Sequence, residues 1–163
     1  MVILLCVRHG EAAHNVAYET RGEAAYVDPA YVNSSLTVRG RRQAAECRWP
    51  RKPTLGVASP LRRAQDTAHL ALPLDVPLVT LDCIREYPNG VHTPNRLGRN
   101  PDSWRADRIE ANRELHQRVN QFMSWASSCG HECIAVFSHS SFLEALLNRK
   151  GPLPHARVIS LAL

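Results

Sequence analysis

The chain has 163 residues, 44% of them hydrophobic and only 6% aromatic, with a formal net charge of +5. That length argues for one domain, 1–163, and a domain of this size buries roughly 70% of the surface its unfolded chain exposes, enough for an aliphatic core. No stretch approaches the ~20 apolar residues of a membrane span, and five irregularly spaced cysteines (Cys6, Cys47, Cys83, Cys129, Cys133) leave an odd thiol, which argues against a disulfide framework.

Reduced thiols point to the cytosol. No leader is visible, because the apolar start from Met1 to Val7 is short and runs into Arg8. Asn33-Ser34-Ser35 is therefore expected to be an unused glycosylation sequon. Only two of the 20 basic residues are lysines, Lys52 and Lys150. An arginine-rich balance suits an anionic partner, and the planar guanidinium, which grips two oxygens at once, favours phosphate. No nucleic-acid motif or aromatic interleaving accompanies these arginines, so nucleic acid is not the expected partner.

Val2 to Val7 is a short continuous apolar run that reads as a buried strand. Glu11 to Ser35 is polar and Ala-rich with poor periodicity and reads largely as loop. Thr37 is placed to cap a helix running to about Arg48, with Pro50 as its stop. Leu55 to Ala58 is a second strand, and Pro60 opens a helix to about Leu72. Pro77 to Ile84 reads as a third strand, and Arg85 to Asp102, rich in Pro, Gly and Asn, as a long loop. Glu110 to Ser127 is the clearest helix, with Leu115, Val119, Phe122 and Ala126 on one stripe. Cys133 to Phe137 is a buried strand, Phe142 to Leu147 opens a helix, and Val158 to Leu163 forms a last strand.

Strands alternating with helices, without a hairpin signal, predict an α/β fold: three layers, α/β/α, around a mostly parallel central sheet. In such sheets ligands bind beyond the carboxyl ends of the strands. That rule selects Arg8 and His9, Ser59 to Arg63, Arg85 and Glu86, and Ser138 and His139. Two histidines, several arginines and a carboxylate thus converge on one edge. A neutral imidazole can attack phosphorus, and neighbouring arginines disfavour its protonation. The same arginines hold phosphate oxygens and offset the charge of the transition state. A second histidine donates a further hydrogen bond, and a carboxyl group protonates the leaving oxygen and then activates water. No metal or cofactor is required by this chemistry. Cys129-x-His131-x-Cys133 lacks the second ligand pair of a structural zinc site and reads as a turn entering a strand. The remaining histidines read as structural or solvated, with His92 the one whose loop could line the substrate mouth.

Five segments in order carry a resemblance. Arg8-His9-Gly10-Glu11 with Asn15 resembles the RHGE…N signature of the histidine phosphatase (phosphoglycerate-mutase-like) superfamily. Leu36-Thr37-x-x-Gly40-x-x-Gln43-Ala44 is similar to its LTxxGxxQA segment, and Ser59-Pro60-Leu61-x-Arg63-Ala64-x-x-Thr67 to its SPLxRAxxT segment. Arg85-Glu86 with Gly90 stands where the family has its acid, and Ser138-His139 with Phe142-Leu143 resembles SHGGFL. The resemblance implies a phosphoglycerate-mutase-like fold and a metal-independent phosphoric monoester hydrolase. In it His9 becomes phosphohistidine, Arg8, Arg63 and His139 form the phosphate pocket, and Glu86 donates the proton. Asn15 and Ser140 are implied as substrate-binding residues. Ser140 and Ser141 replace the usual glycines, and Ser140 also replaces the Asp that some branches use as acid, which leaves Glu86 for that role. The 11–35 insertion and the Arg85–Glu86 run look most like the broad-specificity, mutase-like phosphatases of eukaryotes. The implied partner is a phosphorylated small molecule or a phosphoprotein, with no membrane partner. A phosphoglycerate-mutase-type transfer and a catalytically weak phospho-ligand-binding module remain the alternatives.

Overall fold

The computed structural model describes residues 1–31, 33–86 and 112–163. Five strands form one sheet: β1 (Ile3–Arg8), β2 (Leu55–Ala58), β3 (Leu78–Thr80), β4 (Cys133–Ser138) and β5 (Val158–Ala162), in the order β3-β2-β4-β1-β5. The first four are mutually parallel, and β5 runs antiparallel to β1. β1, β2 and β4 are apolar along almost their whole length because both faces of the sheet are covered.

The helices are α1 (Ala13–Arg21), α2 (Ala24–Val27), α3 (Val38–Ala45), α4 (Arg62–Ala71), α5 (Asn112–Ser128) and α6 (Ser140–Leu146). Alternate strand residues sort the core into two layers. Leu4, Cys6, Val57, Ile134 and Val136 pack with Leu115, Val119, Phe122 and Ala126 of α5 and with Phe142, Leu143 and Leu146 of α6. On the opposite face, Val7, Ala58, Ala135 and Phe137 pack with Cys47 and with Ala68 of α4. The α/β/α arrangement expected from the sequence is thus present, and the stripe on α5 is buried throughout.

Four expectations need correction. The segment 11–35 is largely helical, holding α1, α2 and a 3-10 turn at Pro29–Tyr31. α1 buries only His14 and Ala17, so its inner face carries one polar residue and no large apolar one, and no periodicity shows. The third strand spans only Leu78–Thr80, because β2 offers three partners, Gly56 to Ala58; the chain then turns into a 3-10 turn at Asp82–Ile84. α6 starts at Ser140, directly after His139, rather than at Phe142. α4 starts at Arg62, two residues beyond Pro60, and its first N–H donates at 2.7 Å to Asn33 Oδ1 from the 11–35 segment. Asn33 of the sequon is therefore a helix cap supplied from a distance. Of the loop 85–102, the residues from 87 onward lie outside the described residues, as do Glu110, His92 and Gly90. Among the described residues no helix is long and apolar enough to cross a membrane, and the five cysteines are free thiols.

Candidate active site

The sheet itself spaces the central residues. Beyond the ends of β1 and β2 the ladder continues for one residue: His9 N–H donates to the Ser138 carbonyl at 3.0 Å and Ser59 N–H to the Phe137 carbonyl at 3.0 Å. β1, β4 and β2 are neighbours, so His9, His139 and Ser59 emerge side by side. The His9 and His139 ring centroids are 5.2 Å apart, about the strand-to-strand spacing. Both rings are buried.

His9 has a defined tautomer. Its Nδ1 lies 2.7 Å from the Gly10 carbonyl oxygen, which can only accept, so Nδ1 carries the proton. Nε2 then holds the lone pair, and it accepts from Nε of fully buried Arg63 at 3.2 Å. Burial, followed by the charges of Arg63, His139, Arg8 and His14, holds the His9 pKa well below the ordinary imidazole value. The ring is neutral at pH 7, with its lone-pair nitrogen directed at a guanidinium, a group that also suits a phosphoryl oxygen.

The backbone under His9 is locked by the second and third motifs. Thr67 Oγ1 accepts from Gly10 N–H at 2.9 Å and donates to the Arg63 carbonyl at 2.7 Å, so one hydroxyl ties the loop after His9 to the helix that carries Arg63. Gln43 Oε1 accepts from Glu11 N–H at 2.9 Å. Thr37 caps α3 through Gly40 N–H at 2.9 Å and donates to Glu11 Oε1 at 2.7 Å. Gly10 and Gly40 let the two backbones meet: a Cβ on Gly40 would stand 1.9 Å from the Glu11 carbonyl oxygen.

His139 is held through Nε2 and faces Glu86 with Nδ1. Nε2 lies 2.8 Å from Ser59 Oγ, and Nδ1 lies 3.9 Å from Glu86 Oε2. Glu86 is buried and follows the 3-10 turn at the end of the β3 segment. Arg85 pairs with Asp82 Oδ2 at 2.9 Å, so the two neighbours in sequence point to different tasks. Arg8 Nη1 donates to the Leu153 carbonyl at 2.7 Å, and its charge acts on His9.

The structure brings His9, Arg8, Arg63, His139 and Glu86 to one place, as read from the sequence. Asn15 and Ser140 stand beside it with their polar groups engaged by the chain. Asn15 Oδ1 accepts from Ala12 N–H at 3.0 Å, and its amide donates to His14 Nε2 at 3.2 Å. Ser140 Oγ donates to Glu144 Oε1 at 2.6 Å and accepts from Leu153 N–H at 3.3 Å.

Ser59, which the strand-end rule selects without a role, belongs to the same cluster, and so do His14 and His155, which the sequence reads as structural or solvated. The His14 and His155 rings lie 5.8 Å and 5.5 Å from that of His9. His155 Nδ1–H donates to the His9 carbonyl at 2.8 Å, and its pKa is pushed down to about 4, first by burial and then by Arg8. One signal could have found it. An antiparallel edge strand begins where its parallel neighbours end, so the residues just ahead of β5 share the site's edge. Among the described residues no group of three or more His, Cys, Asp or Glu side chains is placed to hold a metal, and Cys129-x-His131-x-Cys133 forms none.

Comparison with known proteins gives the family and the fold. The sequence profile of the Histidine phosphatase superfamily (branch 1) matches residues 4–163. No curated protein matches the chain. Among solved structures, a candidate alpha-ribazole-5'-P phosphatase of Escherichia coli K-12 is 22% identical, with a TM-score of 0.73, covering 100% of this chain and 91% of that one. The alpha-ribazole phosphatase of Shigella flexneri is 19% identical, with a TM-score of 0.70 and coverage of 99% and 91%. A mutant phosphoserine phosphatase of Entamoeba histolytica, in complex with phosphoserine, is 19% identical, with a TM-score of 0.68 and coverage of 98% and 90%. At these identities the structures establish a shared fold.

Proposed function

The chain belongs to the histidine phosphatase superfamily, branch 1, and from that premise we propose that it hydrolyses phosphate monoesters through a phosphohistidine on His9. The observation that carries this reading is the His9 tautomer: Nδ1–H bound to the Gly10 carbonyl and the Nε2 lone pair facing Arg63. An imidazole serving only to fill the core has no need of a guanidinium set against its lone pair.

In the first step His9 Nε2 attacks phosphorus as the ester P–O bond breaks, and protonated Glu86 gives its proton to the departing oxygen. Arg63 turns its N–H from His9 to a phosphoryl oxygen, and Arg8 and His139 add donors to the others. In the second step the Glu86 carboxylate takes a proton from water as the water oxygen attacks phosphorus. The P–N bond breaks, releasing inorganic phosphate and neutral His9. The cationic residues offset the phosphoryl charge, so turnover proceeds without added metal. Ser59 orients His139, and Asn15 and Ser140 complete the binding wall. The substrate class is small phosphorylated molecules, in line with the names of the similar structures.

The test uses an aryl phosphate in chelator-treated buffer. The intact protein releases phosphate, and His9→Ala does not. Turnover by His9→Ala equal to that of the intact protein overturns the reading. Incubation with a phosphoglycerate yields free phosphate; the isomer appearing first would point instead to a mutase.

A further inference from the structure

Resting on the assignment of Glu86 as the acid, we propose that Arg118 is a positioning residue that fixes where the Glu86 carboxyl group stands. Glu86 hangs from a weakly supported piece of chain, a three-residue edge strand followed by a single 3-10 turn. Among the described residues no backbone N–H bonds the carbonyls that lead into Glu86, and buried carbonyls need a partner. Here three successive carbonyls are each taken by a buried side chain. Arg118 Nη1 donates to the Cys83 carbonyl at 2.6 Å and to the Arg85 carbonyl at 3.0 Å. Ser138 Oγ donates to the Ile84 carbonyl between them at 2.5 Å.

Both halves of this clamp refer to the frame that carries His139. Ser138 immediately precedes His139. Arg118 is 7% exposed, and its guanidinium lies 5.6 Å from the ring centroid of Phe142 on α6, the helix that His139 opens. Arg118 itself sits on α5 among the core residues Leu115, Val119 and Phe122. A single Nη1 carries two hydrogens in one plane, so it serves two carbonyls of one turn at once, which an ammonium on a flexible stem does less rigidly. The bonds are charge-assisted and about twice as strong as neutral ones. The clamp therefore sets the separation of Glu86 from His139, and with it the reach of the acid to the leaving oxygen.

A residue that only filled the core would, on removal, lower all rates alike. A residue that positions the acid acts through the leaving group. The experiment compares kcat/KM for p-nitrophenyl phosphate, a good leaving group, with that for a simple alkyl phosphate in wild type, Arg118→Met, Glu86→Gln and the double variant. Misplacing a general acid by a fraction of an ångström costs roughly tenfold on the substrate that needs it. Arg118→Met is expected to lose about that factor more on the alkyl than on the aryl ester, and to lose nothing further once Glu86 is Gln. An even loss on both esters, or additive losses in the double variant, overturns the inference. Should Arg118→Met not fold, Arg118→Lys is measured alike: a smaller loss with the same bias supports it, and an even loss or a wild-type profile overturns it. If Glu86→Gln itself loses evenly on both esters, the acid assignment falls and the inference with it. If Glu86→Gln shows the bias and the Arg118 variant does not, only the inference falls.

Discussion

His9 and Glu86 flank His139 in one cluster but stand on supports of different kinds. The loop after His9 rests on the two helices α3 and α4. Their Thr37, Gly40, Gln43, Arg63 and Thr67 meet the loop by backbone contact and short side-chain bonds. Among the described residues, Ser138 and Arg118, which come 52 and 32 residues later in the sequence, hold the carbonyls that lead into Glu86. The support of His9, the proposed nucleophile, is packed backbone on backbone, so it is rigid but intolerant of added volume. The described support of Glu86, the proposed acid, includes two polar arms whose hydrogen bonds can be cut one at a time. Damage to the first support is expected to cost stability and all activity together, whereas damage to the second changes which substrates are turned over.

The largest expected effect breaks the first support. In Gly40→Ala the new Cβ meets the Glu11 carbonyl oxygen at 1.9 Å, a clash with backbone that no rotamer relieves. We expect a loss of roughly 3 kcal/mol, read from the urea midpoint, with activity lost in parallel. Thr67→Val keeps the shape but removes the acceptor for the buried Gly10 N–H. That should cost about 1–2 kcal/mol and lower kcat for good and poor leaving groups alike, in contrast to Arg118→Met.

A smaller effect concerns pH. His155 titrates at 6.5 when unfolded and at about 4 in the fold. Between those values the unfolded chain binds a proton that the folded one refuses, so stability falls as pH drops from 6.5 to about 4. Buried His9, whose pKa is also lowered, contributes a fall of the same sign. His155→Asn should therefore make Tm less steeply dependent on pH across this window, without abolishing the dependence. A Tm profile as steep as wild type would show that His155 is not held neutral. The smallest expected effect is at the rim. Arg39 reaches Glu11 Oε2 at 3.3 Å, but its side chain is 74% exposed. Arg39→Ala should change stability by less than about 0.5 kcal/mol in the same urea assay. A larger loss would mean that the first support extends into solvent.

The same contrast explains what could be read from the sequence. The first support is written in short segments whose glycines, cap and polar residues lie within a few positions of one another, and the strands beneath are continuous apolar runs. Fold class, His9, Arg63 and His139 followed from those. Of the support of Glu86, Ser138 stands in the fifth segment, but Arg118 belongs to no local pattern: it sits on the helix of the apolar stripe, and only the fold sets it against the carbonyls of Cys83 and Arg85. α1 escaped for a related reason, since its buried face is made of a histidine and an alanine. His155 escaped because the antiparallel direction of β5, which brings its leading residues to the site, is a property of pairing and leaves no mark on the strand's own sequence.

Rapid acid-free quenching of the enzyme with an isotopically labelled phosphate ester, followed by peptide mapping under alkaline conditions, tests the central claim most directly. The account predicts an acid-labile, base-stable phosphoryl group on the peptide carrying His9, present during turnover and absent in His9→Ala. Turnover with no covalent phosphoryl group detectable at any time, or a label on a peptide other than that of His9, would contradict it.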